Sequence, residues 1–384
     1  MEHLTREEME QGKKRRGRNY YDYSLLFLII FLVCFGLVMI YSTSSYNAAK
    51  YYNDPSKFVR RQLLFVIVGI PAMIITSKID YRIYIKKLPI LRLRPVTLLF
   101  FLCLILQTVV LIVGEATGGS QRWISLGGLG KFQPSELTKI CVVLFTAYIV
   151  QLSPRRLDNF LGFMRVCVFV GPLLALVVVE NFSTALIIAS IMVAICFVAS
   201  RKKVYFAISG ILFGIAAFFL IFGVSYRSER IEVWKNVENH PKGYQILQGL
   251  YAIASGGLFG KGLGQSMQKL GFIPEAHNDM IFSVICEELG MFGAIAVLLL
   301  FLLLLWRLFT IAINAPDLFG GLIATGVFTH IAVQVLINIA VVTNSIPATG
   351  IPLPFISYGG SSLTVLLVEM GLVLSVSNRI QQER

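Results

Sequence analysis

Residues Leu25–Tyr41 read LLFLIIFLVCFGLVMIY, a run without one charged side chain. Val96–Val113 reads VTLLFFLCLILQTVVLIV, and Val204–Val224 and Ala294–Trp306 repeat the pattern. A helix needs about 20 apolar residues to cross a bilayer, somewhat fewer when polar ends snorkel outward. Working outward from these runs, spans are expected near 24–45, 60–77, 95–114, 137–152, 166–181, 183–200, 204–225, 283–307, 319–343 and 357–377. The composition agrees: 56% of residues are hydrophobic and 14% charged, against about 25% charged in soluble domains. The fold expected is all-α, a polytopic membrane protein of about ten transmembrane helices with one long extracytoplasmic loop.

The net charge is +13. In a soluble chain that would raise nucleic acid as a partner. Here the basic residues follow the topology, and no nucleic-acid module is visible. The N-terminal tail, residues 1–20, carries Lys13, Lys14, Arg15, Arg16 and Arg18. Alternate loops repeat the bias, with Lys78, Arg82, Lys86, Lys87, Arg92 and Arg94, then Arg155, Arg156 and Arg165, then Arg201, Lys202 and Lys203. Excess Lys and Arg marks cytoplasmic loops, so both termini are expected inside. The first apolar run is too long for a cleavable signal and lacks a small-residue cleavage site. Six cysteines lie in or beside spans without metal-ligand spacing and read as small apolar packing residues.

After the tail, residues 21–384 read as one membrane domain. Its outside loops are short except near 115–136 and 226–282, and a loop as long as the second is usually functional. Within it, Lys242–Ser255 puts Ile246, Leu247, Leu250, Tyr251 and Ala254 on one helical face, ended by Gly256-Gly257. An amphipathic helix on the outer membrane surface is expected there. The Gly-rich stretch Gly256–Gly264 fails as a Walker loop, because Ser255 and Gly262 occupy positions that need Gly and Ser or Thr. Two readings stand for it: an anion-binding turn with Lys261 adding charge, or a flexible loop.

Pro274-Glu275-Ala276-His277-Asn278-Asp279 lies where this loop re-enters the membrane. A carboxylate partly desolvated there suits a general base; it equally suits a helix cap. Glu136 and Lys139 share a helix face at the start of a span, and charges at that depth mark function or a structural ion pair. His330, Gln334 and Asn338 form a polar stripe for interhelical hydrogen bonds. Glu369 needs a partner that the sequence does not name. Pro347, Gly350, Pro352 and Pro354, followed by Ser357-Tyr358-Gly359-Gly360-Ser361-Ser362, cannot continue a helix. Irregular backbone at membrane depth must line a cavity or pack on protein, so a re-entrant turn is expected.

In this order, Arg122-Trp123-Ile124, Gln133-Pro134-Ser135-Glu136 with Lys139, Gly243-Tyr244-Gln245, Gly256–Gly264, Pro274–Asp279, Glu287-Glu288-Leu289-Gly290 and Pro352–Ser362 resemble the SEDS family (shape, elongation, division and sporulation). The resemblance covers almost the whole chain after the tail. It implies a peptidoglycan glycosyltransferase that takes lipid II and builds β-1,4 glycan strands at the outer face of the bacterial cytoplasmic membrane. It implies Asp279 as the catalytic aspartate, acting as base, and Arg61, Arg122, Glu136 and Lys139 as substrate-binding charges; Lys261, His277 and Ser357 are further candidate substrate-binding residues. Glu180-Asn181 stands where many members carry Asp. A divalent cation, Mg or Mn, is an expected aid to the leaving pyrophosphate, with no organic cofactor. Expected partners are the growing glycan strand, a class B penicillin-binding protein transpeptidase and other divisome proteins. Val342–Pro347 and the basic tail resemble the division branch most. An elongation or sporulation polymerase, a lipid II flippase and a non-catalytic scaffold are the other readings.

Overall fold

The computed structural model describes residues 18–89, 92–117, 120–125, 127, 131–204 and 225–382. Among these, nine helices are long and apolar enough to cross a membrane. They are α1 (Tyr23–Tyr52), α2 (Lys57–Lys78), α3 (Pro95–Val113), α4 (Pro134–Leu152), α5 (Phe160–Glu180) and α6 (Phe182–Ala199). After α7 (Ser225–Lys235) and α8 (Tyr244–Gly256), both too short to span, come α9 (Ile281–Ile313), α10 (Leu318–Val342) and α11 (Gly360–Ser377). The span expected near 204–225 falls almost wholly outside the described residues.

The helix ends follow local chemistry. Pro95 and Pro134 open α3 and α4, where a missing N–H costs nothing and φ is already helical. Asp22 caps α1 by accepting from Leu25 N at 2.9 Å. Asn181 separates α5 from α6 by accepting from Ser183 N and Thr184 N at 3.1 and 3.2 Å. Asp317 caps α10 through Gly320 N and also accepts from Tyr81 Oη and Arg82 Nε, each at 2.7 Å.

Helix α4 is the buried centre of the bundle and packs against α3, α5, α6 and α10. Helices α2 and α11 form the most extensive pair. Gly371 permits it, since a Cβ there would stand 2.6 Å from the Met73 carbonyl oxygen. Small residues at such contacts let backbones approach where no hydrophobic force drives helices together.

Strand β1 (Arg18–Tyr20) pairs antiparallel with β5 (Ile380–Gln382), so the last residues of the basic tail are tied to the far end of the chain. Residues 1–17 lie outside the described set. At the other end of the bundle, β2 (Glu115–Thr117), β3 (Ser120–Ser125) and β4 (Lys131–Phe132) form a small antiparallel sheet, in register Glu115↔Trp123 and Ile124↔Phe132.

Helix α8 falls where the amphipathic helix was expected, but its buried face differs. Ile246, Gly249, Ala252 and Gly256 point inward, while Tyr251 and Ala254 are exposed. A Cβ on Gly256 would meet the Cys286 carbonyl oxygen. The helix is therefore docked on α9 through its small residues, which correlates with protein contact inside a membrane protein better than large apolar ones do. Residues 343–359 form irregular backbone between α10 and α11, with Leu353, Phe355, Ile356 and Ser357 buried. The interruption of helix expected from its Pro and Gly residues is thus present.

Candidate active site

Asp279 stands one residue before the N-cap of α9. Its backbone carbonyl accepts from Asn338 Nδ2 at 2.8 Å, and the same amide donates to Ile351 O at 2.8 Å. Gln334 Nε2 donates to Pro352 O at 3.0 Å. Tyr358 N donates to His277 O at 2.9 Å. The polar stripe of α10 thus holds the re-entry loop and the re-entrant turn to one another. Helix α7 adds two more ties, from Arg230 Nη1 to Ala348 O and from Trp234 Nε1 to Asn344 O, each 2.9 Å.

Between these segments and the ends of α2, α4 and α6 lies a cavity of about 500 Å³. Asp279, Arg61, Arg122, Glu136 and Lys139 all line it, with Glu275, Asn181, Gln334 and Tyr358. Phe65 and Ile187 give it an apolar wall. Five chain segments that are distant in sequence therefore converge on one space. Lys139 Nζ pairs with Glu136 Oε2 at 2.9 Å, both buried, and Ser362 Oγ donates to the same carboxylate oxygen at 2.7 Å. Arg61 lines the cavity beside Tyr358 and acts electrostatically on its hydroxyl. Arg122 acts electrostatically on Glu180, which accepts from Gln107 Nε2 at 2.6 Å.

The Asp279 carboxylate has weak support. Gln245 Nε2 donates to Oδ1 over a long 3.4 Å. Burial raises its pKa above the ordinary aspartate value, and the like charge of Glu275 adds to the rise. Backbone N–H groups of Asp279 and Met280 oppose it. A carboxylate raised in this way is a stronger base than a solvated one.

Lys261, His277 and Ser357 do not line the cavity. Lys261 Nζ pairs with the buried Glu287 carboxylate at 2.7 Å. His277 is packed against Phe58 with ring centroids 4.4 Å apart, and burial pushes its imidazole down to about 4, so it is neutral at pH 7. Ser357 Oγ accepts from Leu353 N at 2.8 Å inside the turn.

A clamp beside the site escaped sequence reasoning. Glu288 is fully buried, paired with Lys269 at 2.8 Å and bonded by Ser42 Oγ at 2.7 Å. Glu287 accepts from Lys261, Ser266 and Met267 N. Just beyond them α9 breaks at Gly290, with φ +68° and ψ −167°, and a Cβ there would stand 2.3 Å from Gly260 N. The Gly-rich stretch is thereby strapped to the kink. The pairing of two Lys with Glu287-Glu288 was the available signal. Glu369 finds its partner in His330, whose Nδ1 lies 2.8 Å from Oε2.

A family model described as "Cell cycle protein", FTSW_RODA_SPOVE, matches residues 23–382. The chain belongs to that family. It is 38% identical over 364 residues to a protein named "Probable peptidoglycan glycosyltransferase FtsW" from Trichlorobacter lovleyi, covering 93% of both chains. It is also 38% identical over 366 residues to "Stage V sporulation protein E" of Bacillus subtilis, covering 93% of this chain and 96% of the other. A solved structure described as "Structural coordination of polymerization and crosslinking by a peptidoglycan synthase complex" contains a similar chain. That similarity has a TM-score of 0.76 and 26% identity, over 94% of this chain and 99% of the other. That solved chain shares the helical bundle seen here.

Among the described residues no group of three or more His, Cys, Asp or Glu side chains is arranged to hold a metal ion. Glu275 and Asp279 line the cavity together without a lysine or arginine ion pair among the described residues. Mg²⁺ bound together with a substrate's phosphates needs only one or two carboxylates from the protein, and the chemistry of this lining fits that need.

Proposed function

We propose that this chain is a peptidoglycan glycosyltransferase that polymerises lipid II into β-1,4 glycan strands at the outer face of the cytoplasmic membrane, for wall synthesis at the division septum. The observation that carries it is the single cavity shared by Asp279, Arg61, Arg122 and Lys139. The names of the relatives support it.

The chemistry needs a proton acceptor and an anion cradle in one place. The acceptor sugar's 4-hydroxyl is a weak nucleophile. Asp279 takes its proton as the oxygen attacks the donor's anomeric carbon. The glycosidic bond forms as the bond to the undecaprenyl pyrophosphate breaks, and the leaving group carries away the electron pair. Arg61 and Arg122 stabilise the charge that develops on it, with Lys139 oriented by Glu136 behind them. A divalent cation carried in with the pyrophosphate would be held by Glu275, leaving Asp279 free as the base, and it would supply further charge neutralisation. The donor's lipid enters from the bilayer along the apolar wall of Phe65.

The transpeptidase partner is a class B penicillin-binding protein, docked on lipid-facing helix surfaces and the outer loops. The similar chain in a peptidoglycan synthase complex supports this. Both termini are cytoplasmic. Divisome proteins recruit the pair to the septum.

The test is polymerisation of purified lipid II by the reconstituted chain, alone and with the transpeptidase. Glycan strands should form, and faster with the partner. No polymer under either condition overturns the assignment. Equal identity to a sporulation relative favours a second setting for the same chemistry, spore-wall synthesis. A fluorescent fusion at midcell during vegetative growth supports division; signal confined to sporulating cells supports the other.

A further inference from the structure

A second cleft lies at the opposite end of α4 from the active-site cavity. It has a volume of about 180 Å³ and is walled by Phe145, Tyr148, Leu152, Arg156, Arg165 and Phe169. Glu136 and Lys139 sit in the first turns of α4 and Leu152 at its last residue. At 1.5 Å per residue the two spaces are about 20 Å apart along the helix. The cleft is therefore separate from the polymerisation site and at the end where Lys and Arg concentrate.

Two guanidinium groups line it, and a third stands behind the Tyr148 wall. Arg156 and Arg165 are lining residues, both exposed. Arg94, at the start of α3, stacks on the lining residue Tyr148, with Cζ 4.8 Å from the centre of its ring. Its Nε is buried without a hydrogen-bond partner. Arg165 Cζ lies 5.7 Å over the Phe169 ring. Among the described residues no carboxylate forms an ion pair with Arg94, Arg156 or Arg165. Positive charge, an orphaned guanidinium N–H and an apolar floor all meet at the level where a membrane helix ends. Arg presents a planar fork that matches phosphate oxygens, and anionic lipids of the inner leaflet attract such residues.

We infer that this cleft binds an anionic glycerophospholipid, its phosphate held by Arg156 and Arg165 with Arg94 behind them and its acyl chain along Phe145 and Phe169. Charge complementarity selects the occupant. A zwitterionic lipid would bring an ammonium group to three guanidiniums, and a peptide would need to satisfy its backbone against an apolar floor.

Native mass spectrometry of the purified full chain, titrated with phosphatidylglycerol, phosphatidylcholine or undecaprenyl phosphate, tests this. Phosphatidylglycerol should be retained in preference to phosphatidylcholine and to undecaprenyl phosphate. Each arginine near an anionic lipid contributes roughly fivefold, so R156Q/R165Q should bind phosphatidylglycerol about thirtyfold more weakly. R201Q/K202Q removes the same charge elsewhere on this end and should leave binding unchanged. Equal losses in both double variants would reduce the effect to diffuse charge and overturn the site. Preferential retention of undecaprenyl phosphate would overturn the choice of ligand. A photoreactive phosphatidylglycerol on the wild-type chain covers the case of a variant that fails to fold: crosslinks should map within residues 145–169, and crosslinks elsewhere alone overturn the proposal. Lipid II polymerisation is read separately in phosphatidylcholine discs, where loss of activity would count against the function proposed above and not against this cleft.

Discussion

Replacing Asp279 by Asn separates base chemistry from folding. The amide keeps the size of the side chain and an oxygen that can accept from Gln245 and from the Asp279 and Met280 N–H groups. The lost contact is a 3.4 Å hydrogen bond at most, so less than about 1 kcal/mol of stability is at stake. The linkage sign goes the other way. Folding raises the Asp279 pKa, so its contribution to stability is fully present below the unfolded value of about 3.9 and is lost as pH rises through the folded value. Asn escapes that loss, and the variant should melt at or above the wild-type temperature at pH 7. Activity should fall by about 10²–10⁴, the range for a missing general base, or about 3–5 kcal/mol of barrier. The wild-type rate should rise with pH through the raised Asp279 value, and the residual rate of the variant should lose that limb. The assay is glycan polymerisation from lipid II in reconstituted membranes, beside thermal unfolding of the same samples. Normal polymerisation by the Asn variant refutes the base assignment and leaves Asp279 as a structural residue at the start of α9.

Lys269→Met strands the buried Glu288 carboxylate and should cost about 3–5 kcal/mol; Lys269→Met with Glu288→Gln should recover part of that, as read by thermal unfolding of the single and double variants. Gly290→Ala places a side chain where φ is +68° and a Cβ would crowd Gly260 N, a backbone region essentially reserved for glycine, so about 1–3 kcal/mol or more should be lost in the same measurement. For topology, a cysteine at exposed Gln265 should react with an impermeant reagent in intact cells, and one at buried Ser266, bonded to Glu287, should react far more slowly. Labelling of Gln265→Cys only after lysis would reverse the orientation proposed for the long loop.

The spans were legible because a charge-free run in a chain this apolar has one inexpensive solution. The run near 283–307 shows the limit of that logic. Its helix begins at Ile281 with a buried polar turn and bends at Gly290, and no hydropathy pattern reports a kink held from outside by Gly260. Strands β2 to β4 were illegible, being two to six residues long and held by pairing rather than by pattern. At the site, Asp279 and the Glu136–Lys139 pair stood out as charges at the membrane edge, while Arg122 was pointed to by the family resemblance alone. The convergence of Arg61 and Asn181 on the same space depends on how α2 and α6 pack, which local sequence does not encode. Lys261 and Ser357 lie in motifs just as pronounced, yet one braces a buried carboxylate and the other closes a turn. A dense motif reports constraint, and packing constrains as tightly as chemistry.

The partnership of α2 with α11 has a consequence for biogenesis. Helix α2 is made early and its mate α11 much later, with roughly 280 residues between them, which at 5–20 residues per second is about 15–60 s of translation. Throughout that interval Arg61 waits in a half-built wall, because Tyr358 and the Gly359–Ser362 rim of the cavity have not yet been synthesised. A nascent or prematurely terminated chain can enter the bilayer with most of its helices, but it lacks the rim that completes the cavity. Synthesis order thereby acts as a timing device, leaving the cavity open on one side until the ribosome has delivered α11.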